Sequence, residues 1–167
     1  MSGTRAVYWL VVALVVGVFV WMHVGTLPKL DTEAAGRAFD LRLGGYTPEA
    51  ARAYLTALSP DGYGVYQGLH RWLDQVLPGL LVIALGGALW RLVPPGGVRL
   101  ALVAVAVAAM LSDYAENALV QVMLRHGPEV SDAVIHWASR MTVLKFGLYT
   151  AAVLAVAVAG WRTWRQQ

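Results

Sequence analysis

Asp113, Glu116 and Asn117 stand three and four residues apart in "LSDYAENALV", so on an α-helix they share one face. Two carboxylates and an amide on one face can bind a cation, hold a proton or act as a general base. His70 and Asp74 repeat the four-residue spacing in "HRWLD", and Lys145 carries Tyr149 one helical turn further on in "KFGLY". These seven side chains, Asp74, Asp113, Glu116, Asn117, Lys145, His70 and Tyr149, are the candidates for binding a ligand or ion.

No catalytic residue is assigned. Ser59 reads as a helix cap, Ser112 sits in an apolar run with no histidine near it in sequence, and no G-x-S-x-G occurs. Asp113, Glu116 and His70 offer oxygen and nitrogen to a divalent metal, but their spacing fits no named metal motif, so neither a metal nor a cofactor is assigned. The absence of cysteine excludes disulfides, thiolate metal sites and dithiol redox chemistry.

The elements that carry these residues are long and apolar. Of 167 residues 58% are hydrophobic and 14% charged, which is too greasy for an ordinary soluble domain. A bilayer core of roughly 30 Å needs about 20 residues of helix. Four stretches qualify, 6–24, 72–93, 98–124 and 141–161, within a single membrane domain covering 1–167. The first, after a single Arg5, lacks a small-residue cleavage signal and reads as a retained anchor. All seven tryptophans fall at or near the ends of these stretches, where amphipathic rings sit at the membrane interface.

The turn "VPPGGVR" makes the second and third spans antiparallel neighbours. The loop 25–71 holds helices of its own, since "YTPEAARAYLTAL" and "SPDGYGVYQGL" each begin with a hydroxyl cap, a proline and an acid. The second should run into span two, and a short amphipathic helix from Pro128 should lead into span four. The expected fold is all-α: a four-transmembrane-helix bundle with a helical extracytoplasmic loop between spans one and two.

Charge placement supplies an orientation. The segments around Arg5, Arg91, Arg99, Arg162 and Arg165 hold no acid, whereas the stretches 25–71 and 125–140 balance five basic with five acidic side chains and two with two. Arginine-rich, acid-free segments belong on the cytoplasmic side, so both termini are expected there, in a bacterial inner membrane. The arginine rim accounts for the basic pI of about 9.4 through anionic lipid headgroups, and no nucleic-acid motif is present.

At 1.5 Å per residue, Asp74, Glu116 and Lys145 each lie about 24 Å from the arginine-rich edge, and Asp113 about 20 Å. A charge at mid-bilayer costs about 2.5–3.5 kcal/mol, so these groups should turn inward and pair. Lys145 is expected to pair with Asp113 or Glu116, with Asp74 completing the layer. Three acids against one lysine leave a surplus of negative charge.

The run "GYTPEAARAYLTAL", a tyrosine-bearing helix leading to "LDQVLPGLL", then "SDYAEN" and "TVLKF" together resemble a group of bacterial four-span membrane proteins with a D-x-x-E-N motif in the third span. The resemblance covers most of the chain beyond the first span. It implies that Asp74, Asp113, Glu116, Asn117 and Lys145 form one pattern, and it brings no activity with it.

The expectation is a non-enzymatic accessory or structural membrane protein with a buried polar cluster. One alternative is a small transporter or ligand- or ion-binding protein using that cluster. Another is a lipid-modifying enzyme with Glu116 or Asp113 as base. The expected partners are the lipid bilayer and a membrane protein or second copy of the chain, with no nucleic acid.

Overall fold

The computed structural model describes residues 3–32 and 35–166. Glu33 and Ala34, within the loop 25–71, and the extreme termini lie outside the described residues. The described chain is helical, with one isolated bridge between Thr32 and Gly36 and no strand.

Four helices are long and apolar enough to cross a membrane, which makes the chain an integral membrane protein built as a helical bundle. The first is α1 (Gly3–Trp21), extended by a π-type turn at Met22–Thr26 and a short 3-10 turn at Leu27–Lys29. Two capped helices follow, α2 (Pro48–Ala57) and α3 (Pro60–Val65), in which Thr47 and Ser59 accept hydrogen bonds from the amides of Ala50 and Gly62 at 3.3 and 3.0 Å. These hydroxyls satisfy amides that the first helical turn leaves without partners.

Through a second π-type turn, Tyr66–His70, α3 runs into α4 (Arg71–Leu92). Gly68 leaves the helical region inside that turn (φ −96°, ψ −112°), so the helix changes direction just before His70. The remaining spans are α5 (Gly97–His126) and α6 (Asp132–Trp164). No separate amphipathic helix precedes span four. Residues Gly127–Glu129 form one 3-10 turn, and the amphipathic stretch is the first part of α6 itself.

The bundle has two unlike ends. The hairpin end holds the Val93 to Gly97 turn, the start of α1 and the end of α6, with Arg5, Arg91, Arg99, Arg162 and Arg165 and no Asp or Glu side chain. There α1 rests on α4: the Tyr8 hydroxyl donates to the Ala84 carbonyl at 3.2 Å, its ring lies under the Arg91 guanidinium, and Gly87 leaves room for it.

At the other end, residues 35–58 fold over the bundle as a roof. Phe39, Tyr54 and Leu55 from the roof share one core with Leu30, Tyr66, Met123, Ile135 and Ala138. Removing each large apolar side chain from water contributes about 1.5–3 kcal/mol. The roof is also tied by polar contacts. Tyr54 donates to the Leu30 carbonyl at 2.6 Å, and Arg52 donates to the carbonyls of Pro128 and Val130 at 3.1 and 2.9 Å while pairing with Asp132. Every tryptophan is exposed, with Trp21, Trp72 and Trp137 toward the roofed end and Trp9, Trp90, Trp161 and Trp164 toward the hairpin end. Two rings of indole at opposite ends match the two interfaces of a bilayer.

Candidate functional site

One face of α5 meets one face of α6 below the roof. From α5 come Asp113, Glu116 and Asn117, all buried, and from α6 come Thr142, Lys145 and Tyr149. Lys145 Nζ lies 3.1 Å from Asp113 Oδ1 and also pairs with Glu116 Oε2, so the ammonium bridges both carboxylates instead of choosing one. Each carboxylate has a second partner on α6. Thr142 Oγ1 donates to Glu116 Oε1 at 2.6 Å, and Tyr149 donates to Asp113 Oδ2 at 3.1 Å. Glu116 and Thr142 are wholly inaccessible, and Lys145 is 5% exposed.

Asn117 turns toward α4, where its Nδ2 donates to the backbone carbonyl of Asp74 at 2.9 Å. This fixes Asp74 at the level of the Lys145 layer. The Asp74 carboxylate nevertheless takes no part in an ion pair among the described residues. The reason is rotation about the helix axis: the rise along a helix sets height, whereas the direction in which α4 faces α5 sets what a side chain can reach.

Asp74 belongs to a second cluster, with His70 four residues earlier and Asp40 from the roof. One potential ligand atom from each of the three lies within 4.8 Å of the others. His70 is fully buried, with Nδ1 2.8 Å from Thr26 Oγ1 and Nε2 3.2 Å from Asp40 Oδ2. Asp40 Oδ2 also accepts from the Tyr66 hydroxyl at 2.7 Å, while its Oδ1 is buried without a partner. Burial by itself would raise the Asp40 carboxyl. The His70 hydrogen bond, the Lys145 and His70 charges and the Tyr66 hydroxyl outweigh it and hold Asp40 well below the ordinary carboxylate range. In the roof, burial first and the Asp40 charge second push the Tyr54 hydroxyl upward.

The seven residues singled out by spacing therefore divide. Asp113, Glu116, Lys145 and Tyr149 form one network, Asn117 links it to α4, and His70 and Asp74 join Asp40 in another. Sequence reasoning passed over Asp40, Thr142, Thr26 and Tyr66. Asp40 sits in an irregular segment with no periodicity to mark it, and threonine in an apolar helix is too common to single out. Ser112, beside Asp113, donates to the Ala108 carbonyl at 2.8 Å in the manner of a helix-satisfied hydroxyl.

No protein-family model, curated protein or solved structure matches the chain. The D-x-x-E-N resemblance thus brings no family assignment, and the chemistry of the site rests on its own geometry.

Proposed function

We propose that this is a non-enzymatic membrane protein of accessory or structural type, in which the Asp113–Lys145–Glu116 triad clamps α5 to α6 beneath a helical roof. The observation that carries the reading is the bridging position of Lys145. One ammonium serves two carboxylates, and each carboxylate is held again by a hydroxyl of α6, so that five polar side chains from two helices satisfy one another away from water. In an apolar medium such a closed set holds two helices in one register, because sliding either helix strands a charge.

The arginine-rich, acid-free hairpin end supports an orientation with both termini in the cytoplasm and the roof outside, in a bacterial inner membrane. The lipid bilayer is the partner this reading requires, and the exposed apolar faces of the spans leave room for a membrane-protein partner or a second copy.

A second reading is favoured by a different observation. Asp40, Asp74, Asp113 and Glu116 gather around one lysine and one histidine, which leaves negative charge in surplus and Asp40 Oδ1 without a partner. A small transporter or an ion-binding protein would use that surplus to hold a cation.

A double-mutant cycle distinguishes the clamp from an incidental cluster. Lys145→Met and Glu116→Gln, and then Lys145→Met and Asp113→Asn, are measured singly and together for thermal stability in detergent. The clamp predicts strong coupling in both cycles. Additive losses would mean that Lys145 reaches toward headgroups and holds nothing.

A further inference from the structure

We propose that Asp40, His70 and Asp74 form a binding site for one divalent transition cation of the zinc type, joining the roof to the top of α4. The inference goes beyond the clamp, because none of these side chains belongs to the Asp113–Lys145–Glu116 triad.

The donor set comes first. One imidazole nitrogen and two carboxylate oxygens lie within 4.8 Å of one another, two of the three residues buried and the third half-buried. A tetrahedral zinc ion with ligands about 2.0–2.2 Å away sets neighbouring ligand atoms roughly 3.4 Å apart. The cluster is thus close to the required size and needs side-chain adjustment of about an ångström. A mixed nitrogen and oxygen set with no thiolate favours zinc or its borderline neighbours over copper(I), and its imidazole disfavours magnesium and calcium.

His70 is also prepared for the role. The Thr26 hydroxyl donates to the Met22 carbonyl at 3.3 Å, so its oxygen is free to accept from His70 Nδ1 at 2.8 Å. A proton fixed on Nδ1 leaves Nε2 as the nitrogen facing the carboxylates. This is how outer hydrogen bonds set the tautomer and ring orientation of a metal-binding histidine. In the metal-free site a proton on Nε2 serves the 3.2 Å contact with Asp40 Oδ2, and a bound cation would take that proton's place.

The second, independent sign is the orphaned oxygen. Asp40 is 7% exposed, and its Oδ1 has no hydrogen-bond partner, while the neighbouring Asp74 carboxylate finds no cation among the described residues. Buried polar atoms are almost always satisfied, so a buried carboxylate with one oxygen bare, its other oxygen facing the His70 imidazole and a second carboxylate close by, points to a missing positive ligand.

The placement has a structural consequence. Asp40 belongs to the roof turn Phe39–Leu41, whereas His70 ends the π-type turn where α3 bends into α4 and Asp74 lies one helical turn further on in α4. A bound cation would bolt the roof down, and its removal would loosen the roof without breaking the clamp between α5 and α6.

The test uses the full chain, purified in detergent, stripped with a chelator and titrated with zinc alone. The expected result is one zinc per chain, a rise in unfolding temperature on binding, and affinity lowered by more than about 100-fold in His70→Asn and in Asp74→Asn. The same binding should persist in His136→Asn, which removes an exposed histidine. Absence of stoichiometric binding, or binding that survives both cluster substitutions, overturns the proposal. Should either variant fail to fold, the zinc X-ray absorption spectrum of the wild-type protein decides. A single imidazole among oxygen neighbours supports the site, and two or more imidazoles or a sulfur neighbour overturn it. Because the readout is zinc and not helix coupling, failure here leaves the clamp untouched, and an additive Lys145 cycle leaves this site untouched.

Discussion

Thr142 shows how a residue with no chemistry of its own can control a charged one. Its hydroxyl is the sole side-chain donor to Glu116 Oε1 among the described residues, and it is fully buried on the face of α6 that also carries Lys145. Hydrogen bonds to charged groups contribute about 1.5–3 kcal/mol, so Thr142→Val, which keeps shape and removes the donor, should lower stability by about that amount. Tyr149→Phe should cost less, since the longer 3.1 Å bond to Asp113 lies in a less buried position. Thermal unfolding of the two variants in detergent checks the order, and a harmless Thr142→Val would remove Glu116 from the clamp. Spacing disclosed Asp113, Glu116 and Lys145 because charges in an apolar run stand out. It could not disclose Thr142, which is one of many small polar residues that transmembrane helices tolerate.

The helices themselves were legible wherever a physical cap or a run of apolar residues marked them. Thr47 and Ser59 cap α2 and α3 as their neighbours Pro48 and Pro60 suggest, and α3 does run on into α4. Legibility failed where azimuth mattered. Asp74 lies level with Asn117, which donates to its backbone carbonyl, yet its carboxylate faces Asp40 and His70, and Gly68 alters the direction of the chain just before His70 in a way no periodicity predicts. The roof meets α6 through a contact equally hidden from sequence. Gly45 has φ +79°, a β-carbon there would lie 2.7 Å from Ser139 Oγ, and the next amide, that of Tyr46, donates to the same oxygen at 2.8 Å. Gly45→Ala combines a left-handed backbone with a clash and should cost about 1–3 kcal/mol. Limited proteolysis should then cut the roof faster than in the wild type. An unchanged digestion rate would mean that the roof does not depend on this anchor.

At the scale of the molecule, charge asymmetry and the two tryptophan rings describe one object: a bundle with an arginine rim at the hairpin end and a roofed, charge-balanced end opposite. Cytoplasmic reporters fused at Pro95 or after the last residue should be active, and those at Gly45 or Gly127 inactive. The reverse pattern would invert the orientation while leaving the interior network as it is. The measurement that bears most directly on the central claim concerns that network as a unit. Breaking a buried pair costs about 3–5 kcal/mol because a charge is stranded, whereas neutralising every member at once is often nearly harmless. Lys145→Met alone should therefore lower thermal stability sharply, and the triple variant Lys145→Met, Asp113→Asn, Glu116→Gln should recover most of the loss. A triple variant less stable than Lys145→Met alone would contradict the clamp.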